Sequence, residues 1–384
     1  MHRSVRRMAL GLVALILASP AFGQEKKAKS EPVRFETADG VELHGKFWPG
    51  EKGHKSPTAI LLHKFGGKSS DDGWDSLGDA LQKAGFAVLS FDFRGHGKSV
   101  TIDGNSFLNP NPKFRHNYDA FRVRPPIGKP PTSIAYAQFK AGYEAHLVDD
   151  LIAARMFLER KNDSKDCNVS NLVLIGAEDG ATVGLMWLAA ELKRFRINMV
   201  DGLGRPTSVA KKSEGKDVIA CIWLNLNGKI GKYNVPTTQL NNWLREAGKT
   251  EKIPMAFIYG KNDDKGDKAA LAYVRTIRGP KYDRKAKPSD GDELKATGDY
   301  GVPGTNLVGS KLLRSSLNTE KWIVKEYLEG AILEKYGGNE WTERKPADNA
   351  YGWTLGTNRW QMGKIPNEKH LSPLPLGIVG LTRN

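Results

Sequence analysis

Between His146 and His370 the chain contains no histidine. That gap removes the commonest general base from more than half of the sequence. Cysteine is scarce too. Cys167 and Cys221 are the only two, which excludes a disulfide scaffold and leaves no Cys/His zinc spacing. Cys167 precedes one expected strand and Cys221 lies in the next, so a single bridge stays open. Free buried thiols are favoured over it, because Cys221 sits in an apolar strand where Cys packs well. After the N-terminal leader, no segment reaches the roughly 18 consecutive apolar residues of a membrane span. Acidic residues are outnumbered, giving a formal net charge of +15. No dense Lys/Arg run or nucleic-acid motif accompanies that excess, so it reads as solvated basic surface and excludes a nucleic-acid partner. An anionic envelope polymer or lipid surface is the partner class that the charge admits.

The N-terminus has the form of a cleavable export signal. Arg3, Arg6 and Arg7 make a basic start, Met8 to Leu17 an apolar run, and Ser19-Pro20-Ala21-Phe22-Gly23 a small-residue cleavage region. Residues 1–23 are therefore expected to be removed and 24–32 to be a polar linker, giving a secreted or periplasmic protein. The length fits one large domain with insertions.

From residue 33 to 336 short apolar runs alternate with helical patterns. Val33 to Thr37 and Val41 to Phe47 read as a hairpin. Thr58–His63, Gly85–Phe91, Asn171–Ile175, Val218–Leu226, Met255–Tyr259 and Glu293–Thr297 read as strands. Helices are expected over Asp72–Ala84, with Asp71 or Asp72 as N-cap, and over Tyr143–Arg160, Ala181–Phe195, Thr237–Glu246, Lys268–Arg278 and Glu320–Lys335. This alternation implies an α/β fold with a mostly parallel sheet and helices on both faces. Two stretches interrupt it, about 100–136 and 226–252, and read as loop insertions over the sheet's C-terminal edge. The first carries Phe107, Phe114, Tyr118 and Phe121, able to line a pocket or staple the insertion down. Residues 337–384 form an aromatic extension. Its expected hairpin, Tyr351–Leu355 with Asn358–Met362, is read as packing on the domain rather than binding sugar rings.

Three motifs carry chemistry. Leu172-Val173-Leu174-Ile175 leads into Gly176-Ala177-Glu178-Asp179-Gly180 and then a helix, the strand–turn–helix setting of a Gly-x-Nuc-x-Gly elbow. Leu61-Leu62-His63-Lys64-Phe65-Gly66-Gly67 follows one strand. Phe91-Asp92-Phe93-Arg94-Gly95-His96-Gly97-Lys98-Ser99 follows the next. Together they resemble the α/β-hydrolase superfamily, closest to its serine aminopeptidase and monoglyceride-lipase-like branch, over about residues 33 to 335.

That resemblance implies a nucleophile, a histidine base, an acid to orient it and donors for an oxyanion. Glu178 occupies the nucleophile position, where such enzymes carry Ser, Cys or Asp. The histidine is expected after the last strand, where Gly298-Asp299-Tyr300-Gly301-Val302-Pro303 stands instead, with Tyr300 or Pro303 in the slot. Gly260-Lys261-Asn262-Asp263 matches the acid position, with Asp263 the acid and Asp264 a register alternative. Phe65 and Asp179 would supply backbone oxyanion donors. Lys64, where the family usually has Gly, would hold the Glu178 carboxylate at a helix N-terminus as a built-in anion. The resemblance makes Asp92, Arg94, His96, Ser99 and His63 architectural.

Two of three triad positions are changed, which points to a pseudohydrolase that binds a small molecule, polymer or protein without a cofactor. Two other readings stand beside it. The chain could be an active hydrolase of ester or amide substrates, using Glu178 itself or a divalent cation gathered by Glu178, Asp179, Asp263, Asp264 and Asp299. Alternatively, the basic chain is a structural protein of the envelope.

Overall fold

A computed structural model describes residues 30–121, 129–286, 288–289, 291–356, 359–364 and 370–381. The expected leader and most of the linker lie outside these residues, as do Pro125-Pro126 and the Phe121 side chain. Pro32, assigned to the linker, already belongs to the first strand.

The main sheet is built from β1 (Glu31–Glu36), β2 (Glu42–Trp48), β3 (Pro57–Leu62), β4 (Ala87–Phe91) and β5 (Asn168–Ala177). After β6 (Arg194–Val200) and β7 (Pro206–Val209), which belong elsewhere, β8 (Val218–Leu224) rejoins it. The pair β9 (Lys229–Ile230) and β10 (Tyr233–Asn234) stands apart, and β11 (Met255–Gly260) and β12 (Gly298–Val302) complete the sheet. The strand order is β1-β2-β4-β3-β5-β8-β11-β12. β2 runs antiparallel to both neighbours, and every later pairing is parallel. That order and polarity are those of the α/β-hydrolase fold. Strands β3, β4, β5, β8 and β11 read as continuous apolar runs because both faces are covered. One face packs the helix Val148–Asp163 and its neighbours around Ile60, Leu62, Leu174 and Trp223. The other packs Ala59, Leu61, Val173 and Ile222 against Leu77, Leu81 and the helical run 319–336.

The helices that matter here are α1 (Trp74–Lys83), α2 (Gly104–Phe107), α3 (Arg115–Phe121), α4 (Val148–Asp163), α5 (Asp179–Glu191), α6 (Thr237–Leu244) and α7 (Asp264–Arg278). α1 begins later than expected. Gly73, at φ 90°, is its N-cap, while the Asp71 carboxylate accepts from the Lys68 N–H and Asp72 from the Ser310 hydroxyl.

Two expectations are corrected. The last strand is not Glu293–Thr297 but Gly298–Val302, paired in register with Ala256–Gly260. Residues Asp292 to Thr297 turn tightly instead, with Lys295 and Thr297 N–H groups donating back three residues. The helix expected to reach Phe195 ends at Glu191. Arg194–Val200 is strand β6, because it pairs with β13 (Ala350–Thr354) of the C-terminal extension. The cysteines are free and buried, the arrangement that the apolar surroundings of Cys221 favoured, and no bridge joins them.

β13 pairs with β14 (Trp360–Lys364) as the expected hairpin, giving a second sheet ordered β14-β13-β6-β7. Trp353 is buried in it, and Trp360 packs edge-on against Phe195 at 5.8 Å. The first insertion is stapled to the body. Its Ile134 N–H donates to the Val100 carbonyl, Tyr136 N–H to Gly95, and Phe107 is fully buried.

Candidate active-site cleft

The elbow is strained and tightly packed. Glu178 sits at φ 49° and ψ −115°, a backbone region costing an L-residue about 1–3 kcal/mol. Its flanking glycines are obligatory. A Cβ on Gly180 would lie 2.2 Å from the His63 carbonyl oxygen, and one on Gly176 2.8 Å from Ala181 Cα. The chain therefore keeps the geometry that presents a side chain above the sheet, with α5 starting directly beneath it.

The Glu178 carboxylate lies between Lys64 and Gly309. Lys64 Nζ is 3.5 Å from Oε1. Gly309 stands at φ 60°, and a Cβ there would fall 2.1 Å from the same oxygen. Oε1 is buried without a hydrogen-bond partner. The loop after β12 thus reaches the elbow, as the resemblance requires, but presents a glycine to it.

Tyr300 is not at the base position. With the last strand shifted to Gly298–Val302, Tyr300 falls inside it opposite Ile258. Its ring stacks on Trp322 at 4.2 Å and 4°, in the apolar layer beneath the sheet. His370 lies beside Asp39, Asp149 and Met156, a group containing none of the candidate residues.

The acid position is linked to the elbow by an amide. Asp263 caps α7, accepting the Lys265 N–H at 3.2 Å, and its other oxygen accepts from Asn225 Nδ2 at 3.2 Å. Asn225 Oδ1 accepts the Gly309 N–H at 2.9 Å. Asn225 itself is left-handed, at φ 55°. So the path Asp263–Asn225–Gly309 runs where an acid and an imidazole would stand, and its middle member cannot take up a proton at neutral pH. The only sequence signal for Asn225 is a residue that tolerates positive φ directly after an apolar strand.

His63 is committed elsewhere. Its Nδ1 is 2.6 Å from the Lys64 carbonyl and its Nε2 3.1 Å from the Phe93 N–H. The ring is therefore neutral, donating from Nδ1 and accepting at Nε2. Burial, followed by the charge of His96, lowers its pKa to about 4. The neighbouring turn is equally structural. Arg94, fully buried, grips Asp39 at 2.8 Å and Asp150 at 2.7 Å. Asp92 accepts from the Ser69 and Lys98 N–H groups, and Ser99 ties Asp92 to His44.

The rest of the cleft is acidic and covered. Asp179 is raised to about 6, first by burial and then by Glu178, against hydrogen bonds from the Gly231 backbone and Asn227. Glu144 packs on Gly231. Tyr136, from the first insertion, lies over His96 at 4.4 Å and Phe65 at 5.9 Å. Its hydroxyl is pushed up to about 12 by burial, then by Glu144 and Asp179. The carboxylates proposed to share a cation are scattered. Asp299 pairs with Arg284 at 2.6 Å, Asp263 caps its helix, and none of Glu178, Asp179, Asp263, Asp264 and Asp299 joins a metal-competent group among the described residues.

No protein-family model matches the chain, and no curated protein matches it by sequence. Solved structures are similar in fold. The Pyrococcus furiosus esterase Pf2001 is 15% identical, with 81% of this chain and 94% of that one covered at a TM-score of 0.46. A dienelactone hydrolase from Anabaena variabilis is 12% identical over 81% and 99%, at 0.44. The esterase domain of a Rhodothermus marinus protein is 14% identical over 81% and 100%, at 0.46.

Proposed function

We propose that this chain is an exported pseudohydrolase, which keeps the α/β-hydrolase elbow and acts by binding in the cleft above it. One observation carries this reading. The Glu178 carboxylate contacts the Gly309 backbone and the Lys64 ammonium, and neither can activate the water that would resolve a covalent intermediate on it. Lys64 does the reverse, holding the carboxylate as a spectator anion. An acyl-transfer site needs a base within hydrogen-bond reach, and the nearby His63 already uses both ring nitrogens. Glu178, Asp179 and Glu144 against Lys64 make the cleft favour neutral polar or cationic ligands over anions.

The test is a panel of short-chain esters and amides with wild type, Glu178→Gln and Glu178→Ser. Wild type and Glu178→Gln should stay at background; hydrolysis gained only in Glu178→Ser would show that Lys64, released from its ion pair, can serve as a base to a serine, and leaves the wild-type reading standing. Hydrolysis by wild type that disappears in Glu178→Gln overturns the proposal and makes Glu178 a nucleophile. Hydrolysis that survives in Glu178→Gln but is lost to a chelator would favour metal-assisted chemistry instead.

A further inference from the structure

A second constellation lies away from the elbow, where the first insertion, the start of α4 and the C-terminal extension meet. His146 and Asp149 are three residues apart across the turn that leads into α4, which puts them on one face. His116 comes from α3. All three are buried, and one donor atom from each lies within 4.8 Å of the others. Asp149 is 6% exposed. Its Oδ1 accepts the Leu374 N–H at 2.7 Å, which orients the carboxylate, while Oδ2 is buried without a hydrogen bond.

We propose that His116, His146 and Asp149 bind a divalent first-row transition-metal ion. Two imidazoles and one carboxylate are a donor set suited to such ions and poorly suited to Mg²⁺ or Ca²⁺. Asp39 and Asp150 both pair with the buried Arg94 guanidinium, while the Asp149 Oδ2 has no hydrogen bond to give up on binding an ion. There is space for further ligands. His116 and His146 line a cavity of about 540 Å³ together with Trp353, Met362 and Leu374. The two imidazoles open on that cavity while Asp149 lies behind them, which leaves coordination positions on the cavity side for water or an exogenous ligand, as open metal sites do. Binding requires a small rearrangement. The two rings stack at 3.9 Å and 11°, so one must turn about χ2 to aim both nitrogens at one point. Donor bonds of about 2.1 Å then bring neighbouring donors to roughly 3–3.5 Å.

This site is independent of the Glu178 cleft, so failure of either proposal leaves the other standing. The experiment uses the full chain, stripped with a chelator and titrated with Zn²⁺, Co²⁺ or Mg²⁺ alone. Metal content, calorimetry, Co²⁺ visible absorption and the thermal midpoint are the readouts. Zn²⁺ and Co²⁺ should bind at about one equivalent and raise the midpoint, and Mg²⁺ should do neither. His146→Gln and Asp149→Asn should each weaken Zn²⁺ binding at least about tenfold. Far-UV circular dichroism of the metal-free proteins establishes which variants fold, and His146→Gln, which leaves the Leu374 contact intact, decides if Asp149→Asn does not. No saturable binding by the stripped wild type overturns the proposal, and so does binding unchanged in folded His146→Gln.

Discussion

Glu178 and Gly309 form a pair whose coupling can be measured. Gly309→Ala adds a Cβ 2.1 Å from the Glu178 carboxylate and places it at φ 60°. The left-handed strain alone is on the order of 1 kcal/mol, and the clash adds to it. Glu178→Ser removes the clash and not the strain, so denaturant titration of the double variant should recover part of the loss, with a coupling of about 0.5–3 kcal/mol. Strict additivity would show that the contact is absent. His63 gives a pH signature. Its pKa is about 4 in the fold against 6.5 outside it, so the unfolded chain binds more protons between those values. The His63 contribution to stability is complete above about pH 6.5 and is lost as pH falls towards 4, amounting to a few kcal/mol. Asp179, raised to about 6, works oppositely and relieves the fold on acidification. NMR of the imidazole resonances separates the two, because His63 should stay neutral at pH 5.5. At this scale the sequence was legible where a motif decides placement: Glu178 stands at the elbow with Lys64 beside it, and Asp263 heads α7. It was not legible for Gly309 and Asn225, whose roles come from backbone donors and dihedrals that residue type does not announce.

The elements were readable wherever hydrophobic periodicity is set by burial on both faces, as in β3, β5 and β8. They were misread where partnership decides. Gly298-Asp299-Tyr300-Gly301-Val302 has little strand propensity, yet it pairs because β11 offers a free edge. That five-residue shift moved Tyr300 out of the base slot. Arg194–Val200 is a strand because β13 returns from more than 150 positions later to pair with it. The join is reinforced by buried charge. Arg194 holds Glu191 at 2.6 Å and lies over the Tyr351 ring at 4.6 Å, while Arg155 and Arg344 share Asp217 and Glu214. Removing one partner leaves an uncompensated charge. Arg194→Met should cost about 3–5 kcal/mol in chemical denaturation, and a cost below about 1 kcal/mol would show that the network does not anchor the extension.

For the whole molecule, the strand order makes the fold that of an α/β hydrolase, and the first insertion and the β13–β14 hairpin pack onto that frame. Its thiols take no part in holding it together. Burial pushes Cys167 up to about 12 and Cys221 well above its ordinary value, so the native protein should resist thiol-directed labelling. Labelling should appear only on unfolding, and reductant should leave the thermal midpoint unchanged. The central claim is that the elbow has kept its shape and lost its chemistry. It is tested most directly by incubating the wild-type chain with an ester panel in ¹⁸O-water and weighing the peptide that carries Glu178. A working carboxylate nucleophile expels the alcohol and forms a mixed anhydride with the acyl group, and water attacking its Glu178 carbonyl leaves solvent oxygen in the side chain. The account predicts no covalent adduct and no ¹⁸O in Glu178; incorporation that depends on substrate would contradict it.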